Sequence, residues 1–211
     1  MSKKPAWMTA HGKPWQAGEG RVVYDNPWLS LTEFDAVAPT GKPACYGLVG
    51  FKNQAIAILP LHADGTVTLV GQNRFPFRDY SWEIPEGGAP LHEDPLDGAK
   101  RELAEETGLT AGEWRPILKM QLSNSVTNEI AYGFLALDLA EGEASPDETE
   151  DIAIVRVPFG EALELAVAGE IQDSLTVAML LRAHHMAYRG DLPRDLARLV
   201  LGEPGEVAKE L

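Results

Sequence analysis

Apolar and polar residues in the first part of the chain alternate over stretches that are too short for helices and that predict strands. Residues 21–24 are mostly apolar, residues 28–37 partly alternate between apolar and polar, and residues 44–52 form a third apolar segment. Turn-forming residues separate these segments, which therefore predict a small antiparallel sheet. Residues 1–20 lack this periodicity and are rich in Gly, Pro and Lys, which predicts a loose N-terminal arm.

The pattern changes after residue 52. Two apolar segments, 55–61 and 66–70, flank a turn at Asp64-Gly65 and predict a β-hairpin. Helical spacing of apolar residues then appears between Asp94 and Thr107. An α/β (α+β) domain is predicted here, because the later segments indicate strands at 114–123, 129–139 and 152–157 and helices at about 159–168, 173–188 and 192–201.

The helix between Asp94 and Thr107 has clear boundary signals. Asp94 is a typical N-cap residue, Pro95 suits the first helical position, and Gly108 suits the position just past the end. Gly98 lies inside this helix although glycine costs about 1 kcal/mol of helix propensity, which predicts close packing at that point. Apolar residues at helical spacing predict a buried face of Leu96, Ala99 and Leu103.

Three glutamates form another face of this helix. Glu102, Glu105 and Glu106 are spaced so that their side chains are neighbours and their negative charges repel one another. A hard divalent cation such as Mg²⁺ reverses this cost, because it takes carboxylate oxygens as ligands. A solvated acidic surface is the alternative interpretation. Arg101 lies four residues before Glu105 and offers it an ion pair, in which case Glu105 orients the site rather than binding the ion.

The charge balance limits the possible partners. The 211 residues include 32 acidic and 18 basic ones, which gives a formal net charge of -14. This excess of acids argues against nucleic acid and against an anionic membrane surface, because both attract basic faces. A small phosphorylated substrate remains compatible, since a metal ion supplies positive charge.

Signals for export and for disulfide bonding are missing from the sequence. The single cysteine, Cys45, excludes a disulfide within the chain, and its apolar surroundings predict a buried, inert side chain. We expect no secretory signal, because the lysines near the N-terminus precede no apolar segment. We expect no membrane span, because no apolar run approaches about 18 residues. These features predict a cytoplasmic protein.

The acidic helix is part of a longer motif. Gly87 is followed after five residues by Glu93, and Glu93 is followed after seven residues by the run 101–109, which reads Arg-Glu-Leu-Ala-Glu-Glu-Thr-Gly-Leu. These residues match the Nudix box GX5EX7REUXEEXGU at every fixed position. The chain therefore resembles the Nudix hydrolases, and the resemblance argues against a merely solvated acidic face. It implies a Nudix α/β/α sandwich with a mixed sheet. It also implies hydrolysis of a nucleoside diphosphate linked to another group.

The resemblance extends to both sides of the box. Residues 72–76 and 82–88 resemble the ADP-ribose pyrophosphatase and nucleoside diphosphate sugar hydrolase branch. Members of that branch have an extra N-terminal sheet that supports a homodimer. The organisation implied is an N-terminal arm over 1–20, a dimerisation domain over 21–52, a Nudix hydrolase domain over 53–190, and a short C-terminal helix and tail over 191–211.

The resemblance also implies a metal site and catalytic groups. The metal is Mg²⁺, with Mn²⁺ as a substitute, and its implied ligands are the backbone carbonyl of Glu86 and the side chains of Glu102, Glu106 and Glu150. Glu105 is implied as a further ligand or as a partner of the ligands. The general base is implied to lie in the acidic segment 141–151, with Glu148 as the first choice and Glu129 as the competing candidate.

Two residues are candidates for substrate binding. Arg74 suits a phosphate contact because guanidinium groups match phosphate oxygens, and a surface salt bridge is its alternative role. Trp28 suits stacking on the nucleobase, although a tryptophan in a strand often belongs to a core or an interface.

The substrate remains open at the level of sequence. ADP-ribose enzymes of this branch usually carry a proline-containing loop after the box, whereas residues 122–125 read Leu-Ser-Asn-Ser. A nucleotide sugar such as a GDP-mannose-like compound therefore fits as well as ADP-ribose. Two other functions are compatible with the box: a non-catalytic domain that senses a nucleotide, and an enzyme that removes unwanted nucleoside triphosphates. The complete set of carboxylates argues against the first, and the extra sheet argues against the second.

Overall fold

A computed structural model of the chain describes residues 4–145 and 151–202. Contacts divide the chain into two units. The first unit contains the residues up to Lys52 together with Leu122–Glu129. The second contains Asn53–Gln121 and the residues from Ile130 onward.

The described residues form ten strands, four α-helices and a short 3₁₀ helix at Ala6–Met8. The strands are β1 (Gln16–Asp25), β2 (Leu29–Val37), β3 (Pro43–Phe51), β4 (Asn53–Pro60), β5 (Thr66–Arg74), β6 (Asp79–Glu83), β7 (Glu86–Pro90), β8 (Thr110–Gln121), β9 (Ile130–Ala140) and β10 (Ala153–Pro158). The helices are α1 (Pro95–Thr107), α2 (Phe159–Ala168), α3 (Ser174–Arg189) and α4 (Arg194–Val200). None of these helices is long and apolar enough to cross a membrane.

The first unit is built on a three-stranded antiparallel sheet in the order β1-β2-β3. β2 and β3 pair without a register shift, from Leu29 opposite Phe51 to Val37 opposite Pro43. The predicted N-terminal antiparallel sheet is therefore confirmed. The prediction of a loose arm over 1–20 is wrong at its C-terminal end, because β1 begins at Gln16. Pairing with β2 orders residues whose own composition does not favour a strand.

A segment that we assigned to the Nudix domain belongs to the first unit instead. Val49 N donates to Val126 O at 2.9 Å, and Phe51 N donates to Asn128 Oδ1 at 2.9 Å. Residues 122–129 thereby supply hydrogen bonds to the edge of β3. The predicted domain 53–190 is therefore interrupted, because backbone pairing and not continuity of the chain decides where this segment packs.

The two faces of the small sheet differ. Cys45 is exposed, contrary to the expectation of a buried side chain, because exposed and half-buried residues alternate along the start of β3 and Cys45 falls on the exposed face. The face that carries Tyr46 has an apolar recess of about 300 Å³, lined by Trp15, Ala17, Phe34, Ala36, Tyr46 and Leu48. The rings of Trp15 and Tyr46 meet edge to face there, with their centroids 5.1 Å apart.

The second unit contains two sheets and is a layered α/β structure. A mixed sheet has the order β7-β4-β9-β8, with β4 and β9 parallel, and an antiparallel sheet has the order β10-β5-β6. Helix α1 packs on one face of the mixed sheet, where Leu103 shares a core cluster with Ile58 and Phe134. Gly133, the neighbour of Phe134 in β9, points to the opposite face and lies against Met179 of α3. The predicted α/β (α+β) sandwich with a mixed sheet is confirmed.

The predicted hairpin between residues 55–61 and 66–70 is wrong. The turn at Asp64-Gly65 brings Leu61 and Val67 into one antiparallel bridge, after which β4 and β5 enter different sheets. Both strands are nearly continuous runs of buried residues, so each takes an inner position in its own sheet. The turn residues predict that the chain reverses, but they carry no information about which sheet receives each strand.

Helix α1 has the predicted boundaries. The Asp94 side chain accepts a hydrogen bond from Leu96 N at 2.8 Å, which caps the first turn. Gly108 has a left-handed backbone with φ of 71°, and its N–H donates to Ala104 O at 2.9 Å. The predicted buried face is also confirmed, since Ala99 and Leu103 are inaccessible and Leu96 packs against the same cluster.

Replacing Gly98 by alanine is expected to destabilise the protein. A Cβ at this position would lie 2.8 Å from Cβ of Ala89 and 3.5 Å from Cγ1 of Ile56. Overpacking costs about 1–3 kcal/mol, which exceeds the gain of about 0.5–1 kcal/mol in helix propensity. Urea unfolding is expected to show a lower free energy of unfolding for Gly98→Ala. Lys100→Ala, at an exposed position of α1, is the control, and a Gly98→Ala protein as stable as this control contradicts the prediction.

Candidate active site

The first glycine of the motif makes room for a carboxylate of α1. A Cβ added to Gly87 would lie 2.2–2.5 Å from the carboxylate atoms of Glu102. The Glu102 side chain, which is 12% exposed, therefore lies directly against the backbone of β7. This contact explains why the motif begins with a residue that has no side chain.

Glu106 approaches the same stretch of backbone. Glu106 is only 3% exposed, and its Oε2 accepts a hydrogen bond from Glu86 N at 3.1 Å. Glu102 and Glu106 therefore lie on successive turns of α1 and both face the peptide that joins Glu86 to Gly87. Sequence spacing predicted the shared helix face, and the structure adds the backbone against which the two carboxylates pack.

Arg101 connects the acidic face of α1 with β7. Its Nη1 donates to Glu102 Oε1 at 2.8 Å and to Glu105 Oε2 at 3.0 Å, and its Nη2 donates to Gly88 O at 2.9 Å. Glu93 lies 3.9 Å from the same guanidinium group. Glu105 is 43% exposed, so it is the most accessible of the three glutamates and has the ion pair that its spacing from Arg101 predicted.

A second group of charged residues, centred on Arg74, lies beside the group formed by Arg101 and the three glutamates of α1. Arg74 Nε donates to both carboxylate oxygens of Glu83, at 3.0 and 3.1 Å, and its Nη2 donates to Glu83 and to Glu86 Oε1, the latter at 3.0 Å. Glu83 is 3% exposed. Asp173, at the start of α3, completes an acidic cluster in which one carboxylate oxygen each from Glu83, Glu86 and Asp173 lies within 4.8 Å of the others.

The environment separates the pKa values of the two glutamates that contact Arg74. Burial, followed by the negative charges of Asp173 and Glu83, raises the pKa of Glu86 well above its usual range. Burial also acts to raise the pKa of Glu83, but hydrogen bonds from Arg74 and Ser81 outweigh it, so the pKa of Glu83 is lowered. Glu83 is therefore the ionised partner of Arg74, and Glu86 is the member of the pair that holds a proton more readily.

Glu102 and Glu106 offer the kind of ligands that a divalent cation binds. Their side-chain donors are carboxylate oxygens, which suit a hard ion such as Mg²⁺. Glu102 lies in a space that a side chain at position 87 would fill, and Glu106 is buried and fixed by the amide of Glu86.

Of the other predicted site residues, two belong to the first unit and two lie outside the described residues. Glu129 and Trp28 belong to the first unit, where Trp28 is 66% exposed and burial raises the pKa of Glu129. Glu148 and Glu150 lie outside the described residues. The described chain before them is held against α1, because Ser145 N donates to Glu105 O at 2.9 Å.

Sequence reasoning missed three residues near the predicted site. Glu83 lies in the segment that resembles Nudix enzymes but received no role, because nothing in its short, mostly exposed strand indicates that its carboxylate is buried against Arg74. Asp173 received no role in the site. It caps α3, and nothing local indicates that its carboxylate approaches Glu86. Thr176 lies on a buried helix face and received no role, but its hydroxyl accepts a hydrogen bond from Ile84 N.

Comparison with known proteins identifies the class to which this site belongs. Residues 51–176 match the NUDIX domain, which covers more than half of the chain. The chain therefore belongs to the NUDIX family, and the predicted class of enzyme, a Nudix hydrolase, is confirmed.

Individual relatives are consistent with this class. The ADP-ribose pyrophosphatase of Bacillus subtilis (strain 168) is 31% identical over 156 residues, which cover 73% of this chain and 84% of that protein. The GDP-mannose pyrophosphatase of Salmonella arizonae is 36% identical over 100 residues, which cover 46% of this chain and 52% of that protein. A crystal structure of an ADP compounds hydrolase shares the fold with a TM-score of 0.76 at 19% identity, covering 87% of this chain and all of the other.

Proposed function

We propose that this chain is a cytoplasmic, Mg²⁺-dependent pyrophosphohydrolase that acts, as a homodimer, on ADP-ribose or on nucleoside diphosphate sugars. Water attacks one phosphorus of the diphosphate, and the bond from that phosphorus to the bridging oxygen breaks. The products are a nucleoside monophosphate and a sugar phosphate. The observation that carries the proposal is the pair of carboxylates, Glu102 and Glu106, that pack against the Glu86–Gly87 backbone.

Glu102 and Glu106 are the side chains that would hold the ion, together with the backbone carbonyl of Glu86 and the side chain of Glu150. When bound, Mg²⁺ or Mn²⁺ neutralises charge on the diphosphate and on the oxygen that leaves. Glu105 is a further ligand or a partner of the ligands, since Arg101 holds it together with Glu102. The same arginine donates to Gly88 O, so one guanidinium group orients two carboxylates and the strand that faces them.

We assign the general base to Glu148, with Glu129 as the competing candidate. The support for Glu148 is indirect and comes from the described part of the acidic segment. Ser145, three residues earlier, donates to the carbonyl of Glu105, so the described end of this segment is held at α1, the helix that carries Glu102 and Glu106. The support for Glu129 is its raised pKa, since a base works best when its pKa lies near the working pH.

Arg74 and Trp28 are our candidates for substrate recognition. Arg74 uses Nε and Nη2 to hold Glu83 and Glu86, and within the described residues its Nη1 makes no hydrogen bond, which leaves two N–H groups for a phosphate. Trp28 is 66% exposed at the start of β2, so its ring is accessible for stacking on a nucleobase.

A substrate panel tests the proposal. The purified protein is incubated with Mg²⁺ and ADP-ribose, several nucleoside diphosphate sugars, dinucleoside polyphosphates and nucleoside triphosphates, in water enriched in ¹⁸O, and the products are identified by mass spectrometry. The expected result is a nucleoside monophosphate and a sugar phosphate, with one ¹⁸O in a single product. Release of pyrophosphate from triphosphates as the main reaction, or tight binding without any product in excess Mg²⁺, would contradict the proposal.

The homodimer is supported by the apolar surface of the first unit. Strand β1 is exposed along its whole length, and Val22 and Tyr24 are more than half exposed. Neighbouring exposed apolar side chains on one strand are typical of a surface that contacts another protein chain. We expect sedimentation equilibrium to give twice the chain mass of 22.9 kDa. Val22→Glu is expected to weaken the dimer, whereas Val167→Glu, at an equally exposed position of α2, leaves it intact. A parent protein with the mass of one chain overturns the dimer.

A further inference from the structure

Thr176 is a fully buried polar residue in the first turn of α3. Its Oγ1 accepts a hydrogen bond at 3.0 Å from Ile84 N, which belongs to a residue 92 positions earlier in the chain. A buried hydroxyl group with one such long-range contact usually has a specific structural role, because it costs free energy to bury without a partner.

The backbone N–H of Ile84, which donates this hydrogen bond to Thr176, lies in a gap between two strands. β6 ends at Glu83 and β7 begins at Glu86, so Ile84 and Pro85 lie outside both. Pro85 has no N–H, and the N–H of Ile84 is buried with no strand beside it to accept its hydrogen bond. The hydroxyl of Thr176 replaces the missing strand partner at this position.

Three successive backbone groups in this gap are fixed by three different elements. Ile84 N donates to Thr176 of α3, Pro85 O accepts from Ile58 N of β4 at 2.9 Å, and Glu86 N donates to Glu106 of α1 at 3.1 Å. Because the three groups are adjacent in the chain, a shift at the first moves the third. The third is the amide against which a proposed metal ligand packs.

The position of the Thr176 hydroxyl is itself fixed. The Asp173 side chain caps α3 by accepting from Thr176 N at 2.6 Å. The side chain of Thr176 starts from this capped turn, and its β-branched shape restricts it to few rotamers. Helix α3 is therefore anchored where it meets the gap between β6 and β7.

We propose that Thr176 is a positioning residue of the hydrolase, whose hydroxyl holds the Ile84 amide and thereby sets the Glu86–Gly87 peptide against Glu102 and Glu106. The inference rests on the proposed function, since it treats those two carboxylates as the ligands of a divalent cation. Thr176 touches neither the ion nor the substrate. Its effect passes through the backbone of residues 84–87, and it therefore acts on the affinity for the ion and on kcat rather than on recognition of the sugar.

Replacing Thr176 by valine removes the hydroxyl and keeps the shape of the side chain. The Ile84 amide then lacks its acceptor, and the gap between β6 and β7 relaxes until the amide finds another partner. We expect the dissociation constant for Mn²⁺, measured by electron paramagnetic resonance without substrate, to rise about tenfold. We expect kcat to fall about 10- to 100-fold while KM for the diphosphate substrate changes little.

Two further variants separate positioning from loss of stability. Thr176→Ser retains the hydroxyl and is expected to retain the Mn²⁺ affinity and kcat of the parent. Thr68→Val makes the same chemical change at another buried threonine. Thr68 lies in β5, and its Oγ1 is 2.8 Å from His62 Nε2. Thr68→Val is expected to lower the midpoint of thermal unfolding as Thr176→Val does, but to leave Mn²⁺ binding unchanged.

Hydrogen exchange in the parent protein provides a test that needs no variant. If the Ile84 amide is coupled to the ion site, saturating Mg²⁺ is expected to slow its exchange at least about tenfold, whereas amides around Thr68 change little. The inference is overturned if Mg²⁺ does not affect exchange at Ile84, or if Thr176→Val binds Mn²⁺ and turns over substrate as Thr68→Val does.

The two hypotheses fail in different ways. A parent protein that binds Mn²⁺ but hydrolyses nothing in the substrate panel contradicts the proposed function, and a weaker Mn²⁺ affinity in Thr176→Val then still supports the positioning role. An active parent whose Thr176→Val variant is unchanged in Mn²⁺ affinity and kcat contradicts the positioning role alone.

Discussion

Glu106→Gln is expected to lower kcat at least about a thousandfold while the protein remains folded. A metal ion at a phosphoryl group contributes several kcal/mol of transition-state stabilisation, and about 1.4 kcal/mol corresponds to a factor of ten in rate. Glutamine is the informative replacement because its side-chain oxygen can still accept the hydrogen bond from Glu86 N, which is 3.1 Å from Glu106 Oε2 in the parent. The change therefore removes the negative charge and keeps the contact.

The measurement combines kinetics with a thermal unfolding curve. Glu113→Gln is the matched control, because Glu113 is a half-exposed glutamate in β8 whose carboxylate pairs with Arg115 of the same strand. We expect Glu113→Gln to have the turnover of the parent, and both variants to unfold cooperatively. Undiminished hydrolysis by Glu106→Gln would remove the central assumption of the proposed function.

Gly87→Ala is expected to lower kcat about a hundredfold with little change in stability, because a misplacement of about 1 Å at a reacting centre can have an effect of this size. The added Cβ would overlap the Glu102 carboxylate, whose atoms would be 2.2–2.5 Å away. That carboxylate is the far end of a flexible side chain, so it moves aside cheaply, but it leaves its position against the backbone of β7. The expected signature is a higher half-saturating concentration of Mg²⁺ in steady-state kinetics, with a nearly unchanged midpoint of thermal unfolding.

Gly88→Ala provides the comparison at the next position of β7. A Cβ there would lie 3.2 Å from Nδ2 of Asn53, a side chain that can adjust, and it would not approach a carboxylate of α1. We expect Gly88→Ala to have nearly the Mg²⁺ dependence of the parent. Equal losses in Gly87→Ala and Gly88→Ala would indicate a general disturbance of β7 and contradict a specific role for the space at Gly87.

Much of the candidate site could be predicted from sequence because its parts are local. The cap at Asp94, the left-handed Gly108 and the face shared by Glu102, Glu105 and Glu106 follow from helical spacing and from the chemistry of single residues. The ion pair between Arg101 and Glu105 was predicted for the same reason. Interactions within about one turn of a helix depend on neighbours in the chain, so the sequence contains them directly.

The parts that sequence reasoning missed depend on contacts between distant segments. The pairing partners of β4 and β5 follow from competition among all strands for inner positions in two sheets, which a turn at Asp64-Gly65 does not decide. β6 and β7 were not predicted, since both are short, β6 begins and ends with an acid, and β7 contains two glycines and a proline. Their neighbours in the two sheets supply the hydrogen bonds that make them strands.

By itself, the sequence determined the class of fold, the family, the boundaries of α1 and which carboxylates face the same way. The tertiary structure decided what those carboxylates face, because only folding brings Gly87 against Glu102, Glu86 N against Glu106 and Thr176 against Ile84. The reason is physical. A buried amide or carboxylate must find a partner, and the chain can supply that partner from any distance once strands and helices pack.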